Sequence, residues 1–176
     1  KKNILITSAL LIAFAVAGAA LVGITFTQTE ADIKHNEKLT LLRQLNNIIP
    51  AEAYNNDLLV DTININPNRL LGTKENTLAY RARKDDQDIA VVLSSIAPNG
   101  YNGPIKMLVG VYNDGRLAGV RVVKHRETPG LGDKITFTWF EDRYKGKNLQ
   151  NTKWLVKKDG CDFDQLTGAT ISPRAV

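Results

Sequence analysis

Cysteine is nearly absent from this chain. Cys161 stands alone in 176 residues, so no disulfide can close within the chain. Cys161 itself reads as a buried apolar residue, a surface thiol or an intermolecular partner, and such scarcity suits a domain outside the cytoplasm. Long basic runs are missing as well. The 23 Lys and Arg residues are interspersed with 18 Asp and Glu residues, for a formal charge of +5. With no nucleic-acid motif beside them, they leave no DNA or RNA footprint. The chain also lacks a G-x-S-x-G nucleophile elbow, a P-loop and a C-x-x-C pair. Histidine is represented by His35 and His125 only. His35 falls on a predicted helix away from other candidate ligands. His125 and Glu127 could share a strand face, but a pair of this kind is too little for a metal site. Internal repeats and low-complexity stretches are absent too, and the length suits one ordinary domain or a small domain plus an anchor.

What is present begins with an uncharged run. Ile4 to Phe26 contains no Asp, Glu, Lys or Arg, and as a helix it would span about 34 Å against a hydrocarbon core of about 30 Å. The apolar region of a signal peptide is shorter, about 7–15 residues, so the run reads as a retained transmembrane helix. Lys1 and Lys2 precede it, Glu30 and Asp32 follow it, and the next basic residue is Lys34. This bias predicts a cytoplasmic N-terminus at 1–3, a span over 4–26 and the remainder outside. Ala15, Ala19 and Gly23 form a small-residue stripe that fits close helix approach as readily as it fits chance. Thr27-Gln28-Thr29-Glu30 reads as a capping box. Leu41, Leu42, Leu45, Ile48 and Ile49 then mark one face of a juxtamembrane amphipathic helix over 27–50, ended by Pro50.

From 51 to 176 the pattern predicts a separate domain built mainly of strands. A strand over Leu58 to Ile65 is bracketed by Asn55-Asn56-Asp57 and Asn66-Pro67-Asn68. From Thr77, Leu78, Tyr80 and Ala82 alternate with Arg81 and Arg83, and Asp85-Asp86-Gln87 turns the chain. Ile89 to Ala97 and Ile105 to Tyr112 are apolar enough for inner strands, and Asn113-Asp114-Gly115 signals a hairpin into Leu117 to Lys124. A short helix around Trp139 to Tyr144 and a strand near Trp154 to Lys157 follow.

Three segments carry ligand-suited residues. Asn99-Gly100-Tyr101-Asn102-Gly103-Pro104 sets an aromatic ring between glycines. His125 to Lys134 combines hydroxyl, acid and base with Pro129, Gly130 and Gly132. Asp164-Gln165-Leu166-Thr167-Gly168-Ala169-Thr170-Ile171-Ser172-Pro173 places two hydroxyls, on Thr167 and Thr170, beside a glycine turn. Ser172 reads as an N-cap with Pro173 at the first helical position. Helix N-termini favour anions such as phosphate, although a capped turn with ordinary threonines satisfies the same local pattern.

Taken together and in order behind one span, these segments resemble the G subunit of Rnf (Rsx) electron-transport complexes and, more distantly, the C subunit of the sodium-pumping NADH:quinone reductase. The resemblance runs from the span to Val176 and is strongest over 98–176. It rests on Gly-Tyr-Asn-Gly-Pro-Ile, on Glu-Thr-Pro-Gly-Leu-Gly-Asp-Lys and on Asp-x-x-Thr-Gly-Ala-Thr-x-Ser, where Thr167 stands for a serine often found there. It assigns no role to Cys161. It implies an α+β fold: an FMN-binding domain of mostly antiparallel sheet facing the periplasm from the bacterial inner membrane. FMN would be joined through its phosphate to Thr170 by a flavin transferase. Thr167, Gly168 and Ala169 would shape the turn; Thr128, Gly130, Leu131 and Gly132 would approach the flavin; Tyr101 and Lys134 would lie near it. The partners implied are the A, B, C, D and E subunits of a complex that passes electrons between ferredoxin and NAD while moving ions, with membrane lipid around the span. In that setting the chain relays electrons and needs no acid, base or nucleophile of its own. A flavin-containing membrane sensor and a non-redox assembly subunit are the alternative roles.

Overall fold

The computed structural model describes residues 2–154, 156, 163 and 165–176. The chain divides into two units, Lys1–Leu41 and Leu42–Val176. Helix α1, Lys2–Ile48, supplies most of the first unit and the opening turns of the second. Its apolar residues from Ile4 to Phe26 are exposed along the helix, and the helix is long and apolar enough to cross a membrane. The capping box at 27–30 starts no new helix. Thr27 Oγ1 donates to Ile24 O at 2.9 Å and Thr29 Oγ1 to Thr25 O at 2.9 Å, so both hydroxyls turn back to the preceding turn and leave the helix continuous. Glu30 meanwhile pairs with Lys34 at 2.6 Å, one turn on.

The second unit is organised by an antiparallel meander, β1 to β5 in sequential order. The strands are β1 (Thr62–Ile65), β2 (Thr77–Lys84), β3 (Gln87–Ala97), β4 (Ile105–Tyr112) and β5 (Leu117–Lys124). Asp85 and Asp86 have φ of 51° and 62° between the paired Lys84 and Gln87, the left-handed geometry that a two-residue hairpin needs. At the second hairpin, Gly115 N–H donates to Tyr112 O and Tyr112 N–H to Arg116 O, both at 2.9 Å.

Two expectations about strands need correction. The strand expected over 58–65 begins only at Thr62. Asp57 captures the chain before it, its side chain accepting from Leu59 N–H and its carbonyl from Asp61 N–H, both at 2.9 Å; this leaves Leu58 buried in a turn. In β2, Tyr80 and Ala82 are buried as expected, but Leu78 is 40% exposed and Ala79 is buried instead. Leu78 pairs with Asn64 of the edge strand, where the sheet is less covered.

Both sheet faces are packed. On one, Ile105, Met107 and Val120 join Ile135, Phe140, Tyr144, Phe163 and Leu166 in a core. Helix α2 (Thr138–Glu141) continues as a 3₁₀ turn over Asp142–Tyr144, and a 3₁₀ turn at Gly132–Thr136 precedes it. Val156 makes a parallel bridge with Phe163; the strand expected near 154–157 falls partly, through Leu155 and Lys157, outside the described residues, as do Cys161 and Asp164. The opposite face receives the end of α1, whose Leu45 and Ile48 are buried together with Ile49. Ile48 fits because Gly110 has no side chain: a Cβ there would lie 2.2 Å from Ile48 Cγ2. Arg121 fastens this end, its Nη2 donating to Asn47 O at 3.2 Å while Nη1 lies 3.2 Å from Glu141 Oε2.

Candidate functional site

The core places the motif turn. Phe163 stacks on Tyr144 at 4.9 Å and on Trp154 at 5.5 Å between ring centroids, and Leu166 enters the same core. From that anchor the chain turns back through Gly168 at φ 81°, with Ala169 N–H donating to Leu166 O at 3.0 Å. Only glycine adopts this φ without strain. Helix α3 (Ile171–Ala175) follows at once, with Thr170 as its N-terminal flanking residue.

The helix start is thus two residues earlier than expected. Ser172 is not the N-cap; it lies inside α3, is buried, and its hydroxyl donates to Glu127 Oε2. Thr170 is half-buried, and its own side chain makes no capping bond. Its hydroxyl is therefore not committed to holding the helix.

A cleft of about 420 Å³ opens beside this turn, lined by Tyr101, Glu127, Thr128, Leu131, Gly132 and the run Gly168 to Ser172. The three ligand-suited segments of the sequence therefore meet at one place. Of the expected site residues, Tyr101, Thr128, Leu131, Gly132, Gly168, Ala169 and Thr170 line it. Thr167 and Gly130 are exposed beside it, and Lys134 lies in the adjoining 3₁₀ turn; none of these three is in the lining. Glu127, Ile171 and Ser172 also line it, although sequence reasoning marks none of them as a ligand contact. The approach of Ser172 to Glu127 marks both of the polar ones, but their 45-residue separation hides that contact from local pattern.

The rim is apolar and open: Tyr101 is 64% exposed, Leu131 42% and Ile171 46%. Leu131 leans over the turn, since a Cβ at Gly168 would meet its Cδ2 at 3.1 Å. Deeper in, Glu127 is buried, and its oxygens also accept the Tyr101 and Asn102 N–H groups at 3.3 Å each. Asn102 Nδ2 donates to Thr128 Oγ1 at 3.2 Å, joining the two flanking loops. Among the described residues, no lysine, arginine or histidine lines the cleft. An apolar rim over hydroxyls suits a planar ring carrying a polar tail, and the size lies within the roughly 300–1,000 Å³ of small-molecule sites.

Comparison with known proteins matches residues 100–176 to an FMN-binding domain and residues 1–48 to an RnfG N-terminal region. The G subunit of the ion-translocating oxidoreductase complex of Aliivibrio fischeri is 42% identical over 175 residues, covering 97% of this chain and 83% of that protein. The G subunit of the Vibrio cholerae complex is also 42% identical, over 182 aligned residues, covering 100% of this chain and 84% of the relative. Among solved structures, Shewanella oneidensis NqrC aligns with a TM-score of 0.50 at 22% identity, over 68% of this chain and 64% of that one; the likeness is one of fold.

Proposed function

Because this chain belongs to the family of G subunits of ion-translocating oxidoreductase complexes, we propose that its cleft carries FMN through a phosphoester on Thr170 and that the loaded domain works in the periplasm. The family gives the chain its function: a membrane-anchored FMN protein relaying electrons within an ion-translocating oxidoreductase. Bound FMN supplies the redox chemistry through its ring system, and the chain supplies attachment, position and electrostatic surroundings.

The observation that carries the reading is the meeting of Tyr101, the Thr128–Gly132 loop and the Gly168–Ser172 run around one uncommitted hydroxyl. Tyr101, Leu131 and Ile171 would face the ring, while Thr128 would offer a hydroxyl toward its tail. The absence of a cation from the described lining favours covalent attachment, since an ester secures a phosphate that the site does not attract. Attachment would join Thr170 Oγ1 to the phosphorus of an activated flavin phosphate, and the bond to its leaving group would break, that group departing with the hydroxyl proton. A flavin transferase would catalyse this step, and the remaining subunits of the complex would exchange electrons with the loaded domain. Thr167 and Gly130, outside the lining, would shape the turn and the loop, and Lys134 would act at the periphery.

Protein matured with its flavin transferase should stay yellow through denaturation and carry the added mass on the Thr170 peptide. Thr170→Ala should lose both, while Thr167→Ala keeps the attachment oxygen and loads more slowly. Covalent flavin on the Thr170→Ala protein, or mass mapped to Thr167, would overturn the assignment. Flavin that cycles with turnover of the whole complex identifies the relay; cycling without turnover would favour a sensor, and an active but colourless complex an assembly role.

A further inference from the structure

We propose that Glu127 is the positioning residue of this site, holding the Thr170 turn and the Tyr101 loop in the arrangement that flavin attachment requires; this rests on the reading of Thr170 above. Glu127 is 4% exposed. Its Oε2 accepts the Ser172 hydroxyl from α3 and the Tyr101 N–H, and its Oε1 accepts the Asn102 N–H. Its own N–H donates to His125 Nδ1 at 3.2 Å, which fixes the backbone from which the side chain departs.

The space around this carboxyl is left clear by glycine on both sides. A Cβ at Gly132 would lie 2.6 Å from Ser172 Oγ and 3.0 Å from Glu127 Oε2. A Cβ at Gly100 would lie 2.9 Å from Glu127 Oε1 and 2.2 Å from Gly103 O. Two loops and a helix thus close on one acid. Ser172 is two residues from Thr170, so its bond fixes the first turn of α3 and the direction in which the Thr170 hydroxyl leaves the backbone. The amides of Tyr101 and Asn102 fix the opposite wall. Removing the acid would strand the buried Ser172 hydroxyl and leave the part-buried Tyr101 and Asn102 amides without this acceptor.

A purely stabilising role and a positioning role separate through the isosteric amide. In Glu127→Gln the side-chain oxygen can still accept from a loop amide, and the NH2 group can donate to a Ser172 hydroxyl that has turned its proton away. Glu127→Ala keeps neither contact. The full-length chain in detergent would be compared as wild type, Glu127→Gln, Glu127→Ala, Ser172→Ala and the Glu127→Ala/Ser172→Ala double variant. The readouts are melting by circular dichroism, hydrogen exchange of the 99–104 and 166–173 peptides before loading, and the rate at which flavin mass appears on Thr170.

We expect folded Glu127→Ala to load about 10- to 100-fold more slowly, the scale of a misplaced reacting group, and to lose exchange protection in both peptides. Glu127→Gln should load within about threefold of wild type, and the double variant should load no more slowly than Glu127→Ala alone, because the two residues act as one unit. Folded Glu127→Ala that loads at the wild-type rate would overturn the proposal, as would a Glu127→Gln rate as low as that of Glu127→Ala. A wild-type chain bearing no flavin on Thr170 would overturn the attachment reading and the attachment role of Glu127 with it. Unchanged exchange in Glu127→Ala would refute the positioning contacts even where Thr170 loads normally.

Discussion

At the scale of single residues, Thr170, Leu131 and Tyr101 reach the cleft from three separate segments, and Glu127 and Ser172 tie those segments together. Thr170, Leu131 and Tyr101 stand out because each sits in a glycine-rich segment with little else to do, and all three line the cleft. Glu127 and Ser172 have equally visible side chains, but their roles depend on each other across 45 residues, and a local pattern carries no such pairing. Ser172 reads as a cap because Ser-Pro is a strong helix-start signal; a buried carboxyl within reach redirects its hydroxyl. Leu131 gives a sharp test of the rim. It is 42% exposed and lies against Gly168, so an acid there would sit beside a bound ring without disturbing the core. Leu131→Asp should leave Thr170 loaded and lower the flavin potential, because a carboxylate opposes the charge gained on reduction. At about 4 Å the repulsion is about 1 kcal/mol in water-like surroundings, or about 20 mV for a two-electron couple. Spectroelectrochemical titration of the loaded protein checks this, and an unchanged potential would place Leu131 away from the ring.

At the scale of elements, turns with a special backbone announce themselves and continuous elements do not reveal their length. The Asp85-Asp86 and Asn113-Asp114-Gly115 hairpins fall where expected because their residues tolerate the required φ. The capping box at 27–30 misleads because the same threonine hydroxyls bond backward equally well inside a helix. Nor can local pattern tell that Gly110, in the middle of a strand, makes room for Ile48. Gly110→Ala should destabilise by about 1–3 kcal/mol, the usual cost of overpacking. Pairing it with Ile48→Ala should cost less than the sum of the separate changes, as judged by near-ultraviolet circular dichroism melts in detergent. Strict additivity would show that the two positions do not meet. Glu141 tests the anchoring of the same region by pH. Burial pushes its carboxyl above the usual range, outweighing the Val122 N–H bond at 2.8 Å and the nearby Arg121. The folded form therefore holds this proton more firmly than the unfolded one. Its contribution to stability is fully present below the unfolded value, about 4.3, and is lost as pH rises through the raised folded value. Wild type measured against Glu141→Gln should show this decline over that window; parallel melting curves would mean that the carboxyl is not held in a raised state.

At the scale of the whole molecule, orientation is carried by a few charges at the ends of the uncharged run in α1. Lys1 and Lys2 precede that run, whereas Glu30 and Asp32 follow it before Lys34 appears. Because basic residues are retained on the cytoplasmic side, residues 42–176 should lie in the periplasm. A phosphoester would have its clearest use there, because a flavin lost from the cleft would have no pool from which to be replaced. Asn113 is a suitable reporter. It is exposed in the β4–β5 turn, and its backbone N–H bond to Ile89 O at 3.2 Å survives a change of side chain. In a background with Cys161→Ser, Asn113→Cys should react with a membrane-impermeant maleimide in intact spheroplasts, and breaking the membrane should add little further label. A cysteine placed at Asn3, before the span, should show the opposite pattern. Labelling of Asn113→Cys only after lysis would put the cleft in the cytoplasm and reverse this topology. Moving the basic residues should move the domain: Lys1→Gln/Lys2→Gln combined with Glu30→Lys/Asp32→Lys should yield a fraction of chains whose Asn113→Cys is protected and whose Thr170 carries no flavin in cells that confine the transferase to the periplasm. Loss of labelling and loss of flavin in the same fraction would tie attachment to the side of the membrane on which α1 delivers the domain.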